Sequence, residues 1–565
     1  MQGGPTTLID CMTGNKRFIT PVYQRNYCWT KDDCEQLYDD LIYVSRHQKP
    51  SHFLGSIVKV HQPQGGALDE YLIIDGQQRM TTVSILLVAM YNLINEHVVT
   101  PDDHNLAQDI RQHIINSSRR KDNKLKLQLF DIDQNAYQQL FQNEDDIQSD
   151  SNITSNYLYF YNRIRQRRNT ISIDQLFDAI SKLNVIMIEL EHDDDPQLVF
   201  ESLNATGKQL TEGDKIRNYV LIGQDAAQQS DIYDTYWLPI EQNAATVLDE
   251  FLRHYLSIKL TKTPTKNNIY HPFKSYIMEQ RDANRVSMTS LLREIKTYSE
   301  YYSQLISPSM QDNELNACIK RLNYLKSTVT RPFFMEVFRM QAEQQLSSSE
   351  VLQIFLLTEI YIFRQEMCNI RTNSYNTFFT SLHRTIEKLD NSQPYIERFK
   401  FVLLNKSFPS DADFRRNLSE RVFYSGKTSS NKYTIYVLER LENRNREQIA
   451  IYDNIDNYQI EHIMPQTLSP RWRRSLGNDA NEIHNEWIGK LANLTLTAYN
   501  PYLSNKPFIE KRDMPNGYRE STLHLNRWIA EQNTWDVSTM ERRERHLIDE
   551  ALKIWPLPTT TYRRL

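Results

Sequence analysis

The chain has 565 residues, 40% of them hydrophobic, and a formal charge of -5. A single core stops growing at roughly 250–300 residues, so this length calls for several domains; the mild acidity gives no whole-chain sign of a polyanion partner and leaves such contacts to local basic patches. Five cysteines without a C-x-x-C pair (Cys11, Cys28, Cys34, Cys318, Cys368) argue against a disulfide framework or zinc knuckle and suit a reducing, cytoplasmic setting, while the longest apolar run, VSILLVAMY at 83–91, falls far short of the roughly 20 residues of a membrane span.

The first 225 residues mix strand and helix signals. DDCEQLYDDLIYV places Cys34, Leu37, Tyr38, Leu41 and Val44 at helical spacing behind two acids that favour a helix N-terminus. HFLGSIVKV (52–60) and YLIID (71–75) read as strands of a hairpin joined by the turn-rich QPQGGALDE. A helix follows at once, with Val83, Leu86, Leu87, Met90 and Ile94 on one face, and NVIMIEL (184–190) supplies another buried strand. Residues 226–445 lose strand signals and show helical periodicity in stretches such as EVLQIFLLTEIYIFRQEM. Residues 446–565 change again: strand-like NYQIEHIMP, an Asn- and Trp-rich middle, NLTLTAY, and a closing amphipathic helix around MERRERHLIDEALKIW. The expected organisation is therefore an α+β domain (1–225), an all-helical middle (226–445) and a smaller C-terminal domain (446–565).

YLIIDGQQRMTT raises a chemical question, because five polar or glycine residues separate a strand from a helix. Free N–H groups at a helix N-terminus make a ready anion site, and Gly76 permits close backbone approach. Arg79 adds a planar fork suited to phosphate, Asp75 can hold magnesium or a ribose hydroxyl, and Gln77 and Gln78 can orient water or base edges. The plainer reading is a capped turn in which Asp75 pairs with Arg79. Two further stretches bear on it: YQRNYCW (23–29), and FESLNATGKQLTEGDKIRNYVL (200–221), which sets Asn204, Thr206, Gly207 and Lys208 before a helix capped by Thr211 with Asp214 three residues on.

In this order and spacing the three motifs resemble the DGQQR domain of the GmrSD-type restriction endonucleases over roughly residues 8–225. The resemblance implies a ParB/sulfiredoxin-like fold that binds and hydrolyses a nucleoside triphosphate (GTP, ATP or another). Asp75, Gly76, Gln77, Gln78 and Arg79 would then lie at the phosphates or metal, joined by Tyr23, Gln24, Arg25, Asn204 and Lys208.

A second constellation lies near the C-terminus, where YQIEHIMPQTL (458–468) precedes WIGKLANLTLTAYNPYLSNKPFIEK (487–511). Phosphodiester hydrolysis needs a base to activate water and a hard cation to stabilise developing charge. His462 is suited to the first task near neutral pH, Glu461 and an Asn oxygen to the second, and another Asn can orient the imidazole. An isolated Glu-His dipeptide is common, yet EHIMPQ followed by NLTL, a further Asn and SNKPF is similar to the HNH nuclease domain of the same family, with its ββα-metal fold. That likeness implies His462 as general base, Glu461 as carboxylate ligand of Mg2+ or Mn2+, Asn493 as the central Asn, and Asn500, with Asn505 as alternative, as the other metal ligand; Lys506 and Lys511 would reach phosphate. Glu461 replaces the Asp of many HNH domains, and zinc-binding cysteine pairs are absent.

RWRRS (471–475), IRQRRNT (164–170) and SRRKDNKLKLQ (118–128) are locally basic, and RWRRS is the best placed for DNA. The leading expectation is a nucleotide-regulated, modification-dependent endonuclease that acts on double-stranded phage DNA, with no membrane partner and homo-oligomerisation left open. The alternative is an NTP-binding regulator that holds nucleic acid without cutting it, a role with little use for the full Glu461, His462, Asn493 and Asn500 set.

Overall fold

The computed structural model describes residues 2–62, 68–117, 125–142, 151–167, 171–191, 193–194, 196, 199, 210–222, 226–260, 262–282, 287–370, 374–425, 428–444, 458–498 and 500–563. They divide into two compact units, Met1–Gln242 with Lys266–Lys296, and Asn243–Thr265 with Thr297–Leu565.

The first unit is built on one mixed sheet of six strands: β1 (Gln2–Thr7), β2 (Lys16–Ile19), β3 (His52–Gln62), β4 (Asp69–Asp75), β5 (Leu127–Gln128) and β6 (Leu183–Leu190), in the order β1-β6-β3-β4-β2-β5. The expected hairpin is present, with β3 and β4 antiparallel and Val60 opposite Leu72. The strand expected at 184–190 lies parallel to β3. β1 was not anticipated: QGGPTT is poor in strand formers, and Pro5 cannot donate to a ladder. Its place at the sheet edge, paired with β6 alone, tolerates both defects.

The helix Gln77–Asn95 differs from its expected single apolar face. Every residue from Met80 to Met90 is buried, including Thr81, Thr82 and Ser84. A helix apolar all round belongs in the middle of a core, and the helices Leu106–Ile114 and Asn152–Arg167 enclose this one against the sheet. The helix Lys31–Arg46 starts as expected from its acids, Thr30 and Asp33 closing a reciprocal capping box.

Up to Glu442 the described residues of the second unit form helices and their connections, as the periodicity of the middle segment requires. Its interior contains an ionic knot. Glu359, 1% exposed, accepts from Arg321 Nε at 2.5 Å and Nη2 at 2.7 Å, from the Tyr436 hydroxyl at 2.7 Å and from Cys318 Sγ at 3.2 Å; Tyr436 in turn accepts from Trp555 Nε1 at 3.1 Å. The three helices carrying these residues are thereby joined to the helix Val537–Ile554 that precedes Trp555. Apolar side chains of the middle, Phe363 and Phe414 among them, share one core with Leu494, Leu496 and Trp555.

His254 lies in this unit, 4% exposed, beside Tyr302 and with Nε2 3.9 Å from Glu250. Burial, with Arg331 and Arg253 adding repulsion, holds its pKa down at about 3. The unfolded chain takes up this proton near pH 6.5 while the native state refuses it down to about pH 3, so stability falls as pH drops through that window. Native His254 should therefore cost about 2 kcal/mol of stability between pH 6.5 and 5, above the range where most carboxylates titrate. Urea midpoints of wild type and His254→Gln, compared at those two pH values, measure the difference.

The C-terminal part supplies two short strands, β7 (Gln459–His462) and β8 (Leu494–Thr497), paired antiparallel and followed by the short helix Asn500–Leu503.

Candidate functional sites

In the first unit the three sequence motifs meet through main-chain contacts. Gln24 Nε2 donates to the Ile74 carbonyl at 2.7 Å, and Gln77 Nε2 to the Arg25 carbonyl at 3.0 Å. Gln78 accepts from the Cys28 N–H at 2.9 Å and donates to the Asn26 carbonyl at 3.3 Å. Arg217, in the KIRN stretch of the third motif, donates Nε to the Tyr23 carbonyl at 2.9 Å and pairs with Asp214 and Glu241. Thr211 and Asp214 form the expected capping box of the helix Glu212–Leu221. Segments some 50 and 190 residues apart are thus one assembly. Asn204, Thr206, Gly207 and Lys208 lie outside the described residues.

This geometry revises individual roles. Gln78 is committed at both ends of its amide and clamps the 26–28 backbone instead of facing a ligand. Gln24 and Tyr23 are buried, Tyr23 with its hydroxyl pKa pushed up by desolvation, so both support the loop. Gln77 keeps one free acceptor, its buried Oε1 having no hydrogen-bond partner.

Asp75, Gly76, Arg25 and Arg79 remain to define the face of the turn. Arg79 Nη1 stands 3.9 Å from Asp75 and donates to the Ser56 carbonyl at 3.1 Å; Gly55, at φ +124°, makes room, since a Cβ there would lie 3.0 Å from the guanidinium carbon. Burial raises the Asp75 pKa, against the pull of Arg79, the Gly76 N–H and Arg25. The helix start at Gly76 has no side-chain cap, so its first N–H groups suit an anion with Arg79 and Arg25 alongside. These residues fit a nucleotide's phosphates.

Gly76 has φ +93°, and a Cβ on it would lie 2.8 Å from Ile57 Cγ1 and 2.9 Å from the Ser56 carbonyl oxygen. Gly76→Ala should accordingly lower the stability of this unit by roughly 2–4 kcal/mol, strain and clash together. Thermal unfolding followed by circular dichroism reads this directly.

In the second unit His462 ends β7. It is 6% exposed, with the Tyr424 ring edge-on at 4.5 Å and Gln466 Nε2 3.4 Å from Nδ1; Nε2 has no hydrogen-bond partner. Burial, with Lys511 and His484 adding repulsion, lowers its pKa to about 4, so the imidazole is neutral at physiological pH and keeps one ring nitrogen able to accept a proton.

Asn493 is fully buried, and its side-chain hydrogen bonds go to groups other than the imidazole. Its Oδ1 accepts from the Met464 N–H at 2.7 Å and from Trp535 Nε1 at 3.2 Å, and its Nδ2 donates to the Met464 carbonyl at 2.9 Å. It holds the turn leaving His462, which His484 braces again through the Pro465 carbonyl at 2.9 Å. The residue beside the imidazole is Gln466, not the expected Asn.

Three further expectations are corrected. Glu461, expected to face a metal, is 2% exposed and paired to Lys511 at 2.6 Å. Lys511, expected at phosphate, is fully buried and also donates to the His462 carbonyl at 2.8 Å. Trp472 of RWRRS is a core residue whose indole donates to the Lys506 carbonyl at 2.9 Å, leaving Arg471, Arg473 and Arg474 as the exposed part of that stretch. Asn505 is exposed in the turn after Asn500–Leu503, Lys506 Nζ lies 3.5 Å from Met514 Sδ, and the Asn500 side chain is outside the described residues. Among the described residues no three His, Cys, Asp or Glu side chains group as a metal site. Glu461, turned to Lys511, does not fit the expected role of carboxylate ligand to Mg2+ or Mn2+.

Both regions coincide with known family models. Residues 8–221 match the N-terminal domain of GmrSD restriction endonucleases, and residues 408–550 match their C-terminal domain. The chain belongs to the GmrSD family. No curated protein matches it. As a GmrSD-type protein it is a restriction endonuclease, its substrate is DNA, and its role is defence against phage. Among the described residues of this GmrSD protein, no helix is long and apolar enough to cross a membrane.

Sequence reasoning missed Tyr424, Gln466, Trp535 and Arg217 as members of these assemblies. Arg217 and Gln466 stood inside motifs already singled out. Tyr424 carried no local signal: it reaches His462 because the Phe423 N–H bonds the Gly489 carbonyl at 2.7 Å.

Proposed function

We propose that this GmrSD-type chain is a nucleotide-regulated DNA endonuclease that cuts phage DNA carrying modified bases or a modified backbone, with a ParB/sulfiredoxin-like NTP site in the first unit and an HNH-type nuclease centre in the second. The observation that carries the nuclease centre is His462: a neutral imidazole at the end of the first of two antiparallel strands, its following turn clamped by Asn493, with a short helix after the second strand. Such an imidazole can take a proton from the attacking water. Exposed Arg471, Arg473 and Arg474 supply positive charge for the phosphate backbone.

For the nucleotide, the N–H groups after Gly76 with Arg25 and Arg79 would hold the phosphates, and Gln77 Oε1 offers a buried acceptor. When bound, the nucleotide supplies a hydrolysable phosphoanhydride. The chain's part is to hold it: Arg79 is oriented by the Ser56 carbonyl, and the 25–28 loop is kept in place by the Gln24, Gln77 and Gln78 amides. Mg2+ or Mn2+ belongs to this reading as an assay component; Glu461 is not assigned to it.

The test is cleavage of phage DNA, modified and unmodified, in Mg2+ or Mn2+ with and without each NTP. Cutting that depends on His462 and responds to NTP or to modification supports the reading. NTP hydrolysis with no cutting under any condition overturns it in favour of a nucleotide-dependent regulator.

A further inference from the structure

We propose that Glu461 and Lys511 form a buried positioning pair that sets the backbone under His462, and that Glu461 is no ligand of a divalent ion; the positioning role rests on the nuclease reading above. Both residues of the Glu461-His462 dipeptide lie in paired strand, Glu461 opposite Thr495 and His462 opposite Leu494. Consecutive residues of a strand project to opposite faces. One face holds the imidazole with Tyr424 and Gln466. The other holds the carboxylate with Lys511 and Tyr518, whose hydroxyl donates to Glu461 Oε1 at 3.4 Å. A cation sharing the reaction with His462 would lie on the first face.

The carboxylate is also engaged chemically. Its contact with Lys511 Nζ is 2.6 Å, with the two side chains 3% and 0% exposed. Burial pushes the Glu461 carboxyl up, and Lys511 and Tyr518 oppose that shift. Freeing Glu461 for a metal would strand Lys511 as an uncompensated buried charge, a large penalty. Lys511 has a second bond, to the His462 carbonyl at 2.8 Å, so one ammonium ties the carboxylate on one face to the main chain that carries the imidazole on the other. Lys511 is delivered from the helix Phe508–Asp513, whose end is tied to Tyr518 by the Tyr518 N–H bonding the Lys511 carbonyl at 3.1 Å.

The pair is tested on the full chain with Glu461→Gln, Lys511→Met and the double variant, reading thermal midpoint, Mn2+ affinity by electron paramagnetic resonance, and DNA cleavage. Removing one partner of a buried pair is costly while replacing both by neutral groups is close to neutral. Each single variant should therefore lose thermal stability and about 30-fold or more in cleavage, and the double variant should regain the wild-type midpoint yet stay about 10-fold below wild type in cleavage, because methionine cannot donate to the His462 carbonyl. Mn2+ affinity should stay within about 3-fold of wild type in every folded variant, because no ligand has been removed.

A double variant that regains its thermal midpoint but cuts no better than Glu461→Gln, and binds Mn2+ more than about 10-fold more weakly, makes Glu461 a ligand and overturns the proposal. If a single variant does not fold, the double variant alone decides, on the same two readouts. A wild-type protein that cuts no DNA refutes the nuclease reading separately; unchanged Mn2+ affinity with restored stability in the double variant then upholds the pair, and weakened affinity refutes it.

Discussion

His462→Ala should lower DNA cleavage about 1,000-fold, in the range general bases contribute, and leave NTP hydrolysis near the wild-type rate. The imidazole has the attributes the task requires. It is neutral at pH 7 because burial lowers its pKa to about 4, one of its ring nitrogens is therefore a proton acceptor, and it stands on a strand end whose following turn Asn493 holds by two bonds to Met464. Arg79→Ala should act the other way, lowering hydrolysis first, since Arg79 belongs to the turn at Gly76 and to the other compact unit. Measuring both activities on both folded variants separates the sites. Equal loss of cleavage and hydrolysis in a folded His462→Ala protein would falsify the assignment of the two reactions to two sites.

Breaking the ionic knot at Glu359 should have the largest effect on stability. Arg321→Ala leaves a carboxylate that is 1% exposed without its bidentate partner, and losses of about 3–5 kcal/mol are typical when one member of such a pair is removed. Burial alone would raise the Glu359 pKa; Arg321 and Arg440, with the Tyr436 hydroxyl, bring it down to about 2, so the group is ionised in the native state, and once Arg321 is gone only Arg440 and Tyr436 are left to offset its burial. Arg416→Ala is the control. Its partner Asp413 is on the surface, both side chains about half exposed, and pairs of that kind contribute about 0.2–1 kcal/mol. Urea unfolding of the two variants should differ by several-fold in destabilisation; similar midpoints would mean that the knot is no stronger than a surface contact.

The strands 52–60, 71–75 and 184–190, the capped helix at Thr211 and the strand pair around Glu461 and Leu494 were legible because their side-chain periodicity is local. β1 was not, because an edge strand containing Pro5 depends on the free side of β6 and not on its own propensity. At the turn Asp75–Arg79 the sequence could not show how many side chains face outward, since whether Gln78 points away from the chain or at the Cys28 N–H is decided by a loop 50 residues away. At the nuclease centre the alternation of a strand already set Glu461 and His462 on opposite faces; what was invisible was the buried lysine from position 511. Nothing short of the fold shows that Lys511 is the residue on Glu461's side.

The three glutamine clamps in the first unit all grip main-chain atoms: the Ile74, Arg25 and Asn26 carbonyls and the Cys28 N–H. Every amino acid at positions 25, 26 and 28 except proline presents those same backbone groups. The clamp is thus indifferent to the side chain at Asn26, and a library randomised at that exposed position should keep its fold while varying what the loop displays. A loop held in this way can change what it displays without any rebuilding of the domain that carries it.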